Sequence, residues 1–491
     1  MRTGPFVPPS GKPTGLRVAI VGGGLSGTLA CLQLLREVPG VRISLHERRP
    51  HQLNRGVAYS SRLSRQLLNV PADRMGLFPN DREGFLRWAR NGPLPHAHPG
   101  DFLSRSLFGD HVHDMFHTEL DRYPGQVRII AGEAVSLDHR PVHGYRLRLS
   151  DGAWSDHDAV VLALGNAPPA HVPHMAPAAR RDPHYVEWPW RPGAMAAIGI
   201  HDEVLFVGAG LTMVDLLLTL DQHGHQGAVT VLSRHGLLPR EHAVSPPWPL
   251  PPIGTSQGPR ELNALLRQVR REVELARQAG VPWQGVMDAV KLQARSIWQA
   301  LPIAERERFM RHLRPYWEAH RHRMPGSARE RIEELRAQGR LRPIAARIMG
   351  VVEAQNGFTV DYQPRGMTST ERSHTRWIIN CSGPQADTRR LEQPLLLDLL
   401  SKGLASWDEL HLGLRTTVEG ALLDAQAQVV QGLYAIGPPC KAALWECTAV
   451  PEIRDQAVVL AKLMHNKWER RPKGVRRTLF DLLDHLAWPS A

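Results

Sequence analysis

The stretch Val18-Ala19-Ile20-Val21-Gly22-Gly23-Gly24-Leu25-Ser26-Gly27 constrains this chain more than any other. Four apolar residues read as a buried strand, and Thr28-Leu29-Ala30-Cys31-Leu32-Gln33-Leu34-Leu35 continues as a helix. Gly22, Gly24 and Gly27 fall on a G-x-G-x-x-G spacing, and each has its own task. Gly22 makes the tight turn, Gly24 lets the backbone approach a pyrophosphate, and Gly27 lets helix and strand pack closely, with the phosphates on the helix N-terminus. The next apolar stretch, Arg42-Ile43-Ser44-Leu45-His46, ends in Glu47. An acid about 20 residues beyond the glycines is what such a unit uses to hold ribose hydroxyls. Strand, turn, helix and terminal acid together predict a cradle for an ADP-containing dinucleotide. Its contacts are expected from Gly22, Gly24, Leu25, Ser26, Gly27, Glu47 and the adjacent Arg48.

A second unit of the same kind begins at Val204-Leu205-Phe206-Val207-Gly208-Ala209-Gly210-Leu211-Thr212-Met213, followed by a helix from Val214 to Leu220. Gly208 and Gly210 keep the first two glycine tasks, with Leu211 and Thr212 at the helix start, while Met213 stands at the third and is expected to hold helix and strand slightly farther apart. The following strand, Ala228 to Leu232, ends in Ser233-Arg234 rather than in an acid. An arginine there pairs with a 2′-phosphate, which favours NADPH; as a plain surface arginine it would leave NADH as donor.

Three other apolar runs end in glycine: Ala159 to Gly165, Trp377 to Gly383 and Gly432 to Gly437. They read as the strand that closes the first unit, the return from the second, and the last strand of the first. The helix starting near Val450 follows, with Pro451 suited to its first turn. Between Pro259 and about Arg342 the chain has apolar residues at helical spacing (Leu262, Leu265, Leu266, Val269) and many charges, and reads as an inserted helical subdomain. The expected architecture is α/β with two dinucleotide-binding, Rossmann-like domains, the first of them discontinuous, and a helical insertion. Its expected parts are a flexible tail over 1–15, the first domain over 16–170, the second over 195–258, the insertion over 259–342, and return strands with the rest of the first domain over 343–491.

A chain of 491 residues exceeds one ordinary core, in keeping with several domains. The four cysteines, Cys31, Cys381, Cys440 and Cys447, form no C-x-x-C pair, which argues against a dithiol reductase, a zinc ribbon and a disulfide framework. A reducing, cytoplasmic setting fits. Met1 to Thr14 is proline-rich without an apolar core, unlike a signal peptide, and no stretch reads as a membrane span. The net charge of +12 comes mostly from arginines scattered over helices. It points to small anionic ligands, the cofactors among them, rather than to nucleic acid. His113 and His117 share a helix face, but no third ligand accompanies them, and no metal is expected. The cluster from Arg314 to Pro325 suits a helix C-terminus; a functional reading makes His320 or Arg323 a contact for an anion.

Several motifs occur in a fixed order: the GGGLSG turn, Gly56-Val57-Ala58-Tyr59-Ser60, Leu67-Leu68-Asn69-Val70-Pro71-Ala72-Asp73-Arg74-Met75, Phe85-Leu86-Arg87-Trp88, and Phe102 to Asp110. In these the chain resembles the bacterial FAD–NAD(P)-binding protein family, a relative of the flavin monooxygenases that includes FAD-dependent urate hydroxylases. The resemblance implies FAD in the outer segments, with Gly56, Gly165, Gly383, Gly437 and Val450 among its contacts, and the helix from Val450 pointing its positive end at the flavin ring. Leu164 and Pro438 depart from the pattern, standing where relatives carry a threonine and a ribityl-binding aspartate. The expected activity is an NAD(P)H-dependent monooxygenase that uses O2 through a C4a-(hydro)peroxyflavin to hydroxylate a small substrate, with urate or a related purine as the best-named one. Asn69, Arg74, Trp445 and Glu446 are the expected catalytic residues near the ring. The rival readings are a flavin reductase or dehydrogenase passing electrons to another acceptor, and a non-catalytic flavin-binding partner protein.

Overall fold

The computed structural model describes residues 15–61, 66–141, 143–253, 261–385 and 387–469. The expected N-terminal tail lies, except for Gly15, outside these residues, as does the end of the chain beyond Glu469. The glycine-rich stretch forms strand β1 (Arg17–Val21), helix α1 (Leu25–Glu37) and strand β2 (Arg42–Glu47). A sheet of six strands grows around them, in the order Ala421–Leu423, Val429–Ala435, Ala159–Leu162, β1, β2, Val127–Ala131. All neighbours are parallel except the outermost pair Ala421–Leu423 and Val429–Ala435. Val429–Ala435 comes from the far end of the sequence, and its Tyr434 stands opposite Val161, so the first unit is discontinuous as expected.

The sheet is apolar on both faces because both are covered. On one, α1 packs with the C-terminal helix Val450–Glu469 around Val18, Ile20, Leu29 and Leu460. On the other lie a three-stranded antiparallel sheet (Ala134–Arg140, Gly144–Leu149, Trp154–His157) and helix Pro394–Ser401, meeting Ala19, Val21 and Val160 through Leu137, Leu147 and Leu396.

The second sheet has seven strands, ordered Glu371–Thr375, Gly357–Pro364, Leu341–Ala354, Val229–Ser233, Val204–Val207, Trp377–Asn380, Tyr185–Val186. Its limits differ from those expected. It takes in Tyr185–Val186 before position 195, and the strands from 341 to 380 extend it rather than returning to the first sheet. Helix Gly326–Ala337, counted with the insertion by sequence, packs through Ala328, Ile332 and Leu335 on the second sheet beside Phe206 and Val231. Leu341–Ala354 begins parallel to Val229–Ser233, with Leu341 opposite Val229, and a parallel neighbour needs a crossover, usually a helix. Gly326–Ala337 is the last part of that crossover.

The remaining helices, Leu262–Gln278, Trp283–Ala300, Ile303–His312 and Arg314–Arg321, form the inserted unit. Its small core holds Leu265, Ala276, Val286 and Val290. It docks on the first unit where Trp298 meets Leu412 and Trp445, and Trp298 Nε1 donates to the Ala442 carbonyl at 2.7 Å.

Several histidines are buried without a charge partner. His111 packs among Phe85, Trp88 and Phe108, is 2% exposed, and neither ring nitrogen has a hydrogen-bond partner. Burial lowers its pKa from 6.5 to about 4, with nearby Asp81 opposing the shift. The folded state therefore holds the neutral ring, and its stability is lost as pH falls below the unfolded value of 6.5 towards 4. His111→Phe is expected to remove about 2 kcal/mol of the destabilisation seen between pH 7 and pH 5, read from urea midpoints of both proteins.

Candidate functional site

The first glycine turn and the start of the helix after the second open into one cavity of ≈ 380 Å³. The first cradle contributes Gly22, Gly24, Leu25, Ser26, Glu47 and Arg48; Gly56 and Gly165 line it as well. Gly22 has φ +104, and a Cβ there would sit 2.2 Å from the Ala163 carbonyl oxygen. A Cβ on Gly27 would sit 1.9 Å from the Gly22 carbonyl oxygen, so this glycine is required by the approach of α1 to the turn. Gly24 faces Gly56, whose Cα would lie 3.1 Å from an added Cβ, and Gly24 caps α1 without any side-chain acceptor. The first N–H groups of α1 are thus left for an anion. Glu47 Oε2 accepts from the Gly23 N–H at 2.8 Å and Oε1 from the Arg49 N–H at 2.9 Å. These bonds fix the carboxylate at the end of β2, while Arg48 pairs with Glu133 at 2.9 Å.

Two arginines of this cavity carry no expectation from sequence. Among the described residues Arg55 Nη1 and Arg105 Nε are buried without a hydrogen-bond partner, although Arg55 pairs with Asp110 at 2.5 Å and Arg105 with Asp215 at 3.1 Å. Unfilled guanidinium donors beside an open helix N-terminus suit a pyrophosphate. Their sequence signal is a cation beside or within a motif, Arg55 immediately before Gly56 and Arg105 within Phe102 to Asp110. The cavity's residues therefore fit FAD.

The second cradle enters the same cavity through Leu211 and Thr212. Gly208 has φ +106, and its Cβ would meet the Cys381 carbonyl oxygen at 2.3 Å, whereas nothing lies within 4 Å of a Cβ on Gly210. Gly383 lines the cavity with φ +83. Gly437, with φ +77, abuts Ser26 of the first cradle, and its N–H donates to Gln456 Oε1 at 2.9 Å. Val450 is buried at the start of the C-terminal helix, whose Ile453 and the preceding Thr448 line the cavity. At the end of Val229–Ser233, exposed Arg234 is joined by exposed Arg347 and Arg365. Arg365 Nη1 lies 3.4 Å from His235 Nδ1. Partial burial lowers the His235 pKa, and Arg365, Arg234 and Arg347 push it further the same way, which places all three cations around that ring.

The four expected catalytic residues do not line this cavity. The Asn69 carbonyl accepts from His242 Nε2 at 3.0 Å, and Arg74 is exposed. Trp445 is 6% exposed and stacks on Trp298 with centroids 4.7 Å apart, its φ of +58 turning the ring into the helical unit. Glu446 accepts from Trp317 Nε1 at 3.1 Å and pairs with Arg321 at 3.0 Å. Arg321 also pairs with Glu452 at 3.3 Å, and Lys291 with Glu452 at 2.8 Å. Trp445 and Glu446 are therefore corrected from ring contacts to the seam between the insertion and the first unit. A loop followed by a helix is legible in sequence, but the partner that claims its side chains is not. Arg323 is 6% exposed and pairs with Asp288, whereas His320 bonds the Tyr316 carbonyl at 2.7 Å, both within the insertion. His113 meets Asn54 at 3.3 Å and packs edge-on against His117.

Residues 19–167 match the protein family described as FAD-NAD(P)-binding. They make up the first part of the FAD–NAD(P)-binding domain, whose sheet the strands Ala421–Leu423 and Val429–Ala435 complete. No curated protein matches the sequence. Among solved structures, the chain is similar to the ornithine hydroxylase of Pseudomonas aeruginosa, with 14% identity, TM-score 0.60, and 92% of this chain and 99% of that one covered. The L-lysine 6-monooxygenase of Pseudomonas syringae gives 16% identity, TM-score 0.58, and coverage of 92% and 99%. The FAD-bound cadaverine monooxygenase of the desferrioxamine pathway from Erwinia amylovora gives 12%, TM-score 0.62, and coverage of 92% and 94%. The FAD–NAD(P)-binding domain thus sits in a chain that shares its fold with flavin-dependent monooxygenases. Among the described residues no helix is long and apolar enough to cross a membrane.

Gly24→Val fills the gap between the turn and Gly56, and is expected to yield colourless protein with less than about a tenth of the FAD of the parent, measured by absorbance after release. Glu446→Ala leaves Arg321 with one carboxylate partner, and is expected to lower stability by ~2 kcal/mol in urea unfolding while FAD content stays at parity.

Proposed function

We propose that this protein is an NADPH-dependent FAD monooxygenase that hydroxylates a small molecule with dioxygen. The observation that carries the reading is one cavity reached by the first glycine turn and by the start of the second unit's helix, which supports a donor site beside a flavin site on one chain. FAD, when bound, supplies the hydride acceptor and the centre at which oxygen is activated. The protein's part is positioning and exclusion of water. Gly22 to Ser26 with Arg55 and Arg105 hold the pyrophosphate of FAD, Glu47 the ribose, and Gly208 to Thr212 the donor. Gly56, Gly165, Gly383, Gly437 and Val450 give the backbone room along the flavin.

Dithiol chemistry finds no support as an electron exit. Cys31, Cys381, Cys440 and Cys447 are all free and buried, and burial pushes each thiol above its ordinary pKa. The likeness to amine hydroxylases supports oxygen insertion; urate gains no support from those comparisons and enters the test as one substrate among four. The experiment is anaerobic reduction by NADPH, then oxygen admission with L-ornithine, L-lysine, cadaverine or urate, following oxygen uptake and hydroxylated product. Product formed in proportion to NADPH is expected. Flavin that NADPH cannot bleach would leave a binding protein, and turnover with an artificial acceptor but without product would leave a reductase.

NADPH preference rests on the missing acid after Leu232 and on the convergence of Arg234, Arg347 and Arg365, none of which is ion-paired among the described residues. Arg234→Ala and Arg365→Ala are each expected to raise KM for NADPH about tenfold or more while moving KM for NADH less than about twofold, in steady-state oxidation assays.

A further inference from the structure

Beyond the dinucleotide cavity lies a smaller one of ≈ 100 Å³. The two share Leu164 to Ala167, Pro384, Gln393 and Pro438, so they meet at the turns that end Ala159–Leu162 and Val429–Ala435. All parts of the fold contribute to it. Arg314 comes from the inserted helices, Pro384 and Gln385 follow the last central strand of the second sheet, and Pro438 to Lys441 belong to the first unit. One portion of the wall is apolar, with Leu391, Leu396, Trp407 and Leu414. The charged groups are Arg314 and Lys441, and among the described residues no carboxylate lines the cavity.

Two acids stand behind the wall: Asp408 is taken up by the Leu412 and Gly413 N–H groups at 2.6 and 2.9 Å, and Glu318 by the cations. Glu318 Oε1 is 3.6 Å from Arg314 Nε, and its Oε2 is 3.0 Å from His322 Nε2. Burial opposes the ionisation of Glu318, but His322, Lys441 and Arg314 together hold its carboxyl well below the usual range. One carboxylate is thus shared between two permanent cations and a histidine, and the wall keeps an excess of positive charge. Lys441 Nζ also lies 4.9 Å from the Trp445 ring centroid. A cationic ligand meets like charge here, whereas an anion meets two donors of charge-assisted hydrogen bonds.

We propose that this cavity is a binding site for a small organic anion with an apolar body, its negative end held by Arg314 and Lys441 and its body lying against the leucines and Trp407. Calling that anion the substrate rests on the monooxygenase reading, because the site shares its wall at Leu164 to Ala167 and Pro438 with the larger cavity. Of the four compounds named above, cadaverine, a dication, and ornithine and lysine, net cations at neutral pH, then suit this site less well than an anion does.

The test uses the FAD-loaded full-length protein and equilibrium dialysis with benzoate and with benzamide, which share a ring and differ in charge. Benzoate is expected to saturate one site and to bind at least about tenfold more tightly than benzamide. Arg314→Gln and Lys441→Gln are each expected to weaken benzoate about tenfold and leave benzamide unmoved, with FAD content unchanged; Arg314→Lys should restore part of the loss. Equal binding of the two probes, no benzoate binding, or benzoate binding indifferent to both glutamine variants overturns the proposal. Flavin bleaching by NADPH in the same preparations separates the two readings. Selective benzoate binding without bleaching keeps the anion site and removes the oxidoreductase, and bleaching without selective binding does the reverse.

Discussion

The buried ion pair between Arg105 and Asp215 sets how the two nucleotide units face each other. Arg105 begins the helix Arg105–Arg122 of the first unit, and Asp215 lies on the glycine-turn helix Leu211–Gln222 of the second. Nearby, Gln66 Nε2 donates to Thr219 Oγ1 at 3.2 Å, so the contact is a polar seam in an apolar surround. A pair of this kind adds little net stability, because two charges leave water to form it. Its value lies in geometry, since a displaced partner would leave a charge buried and alone. Burial raises Asp215 to about 6 against the pull of Arg105, which shows how strongly the seam is desolvated. Both side chains line the cavity that the cradles share, so the element that fixes the spacing of the units also forms part of the wall.

Much of the scaffold was legible in the chain itself. The turns at Gly22 and Gly208 announce themselves because only glycine tolerates their backbone angles and the carbonyl oxygens beside them. The split first sheet was legible too, from the buried strand Leu433 to Ile436 and the helix after it. The extent of the second sheet was not. Leu341–Ala354 alternates weakly and carries Pro343, and its role is fixed by a strand more than a hundred positions earlier, a pairing that no local pattern records. The side chains of Trp445 and Glu446 were misplaced for a related reason. Their neighbours Trp298, Trp317 and Arg321 belong to helices whose docking is a tertiary fact.

Arg55 and Arg105 illustrate the opposite case. Arg55 stands just before the Gly56 motif and Arg105 within Phe102 to Asp110, and each is recognisable only once an unfilled N–H group is found on a side chain that lines the cavity. Charge in a sequence locates cations without saying which of their N–H groups keep no acceptor once the ion pairs have formed. Burial and partner geometry decide that, and they separate these two from arginines such as Arg372, which lies exposed against Asp361.

The helical unit is spliced into a crossover between two parallel strands, Val229–Ser233 and Leu341–Ala354. The entropy of closing so long a connection grows only with the logarithm of its length, each doubling adding about 0.6 kcal/mol. The nucleotide units therefore place almost no limit on how large that excursion becomes or what it contains. Strand order and both glycine turns survive any change that rejoins the chain at the helix Gly326–Ala337. Natural variation in the face that the insertion presents to the smaller cavity is then decoupled from redox machinery, and new ligand preferences are free to arise by drift in one interrupted loop.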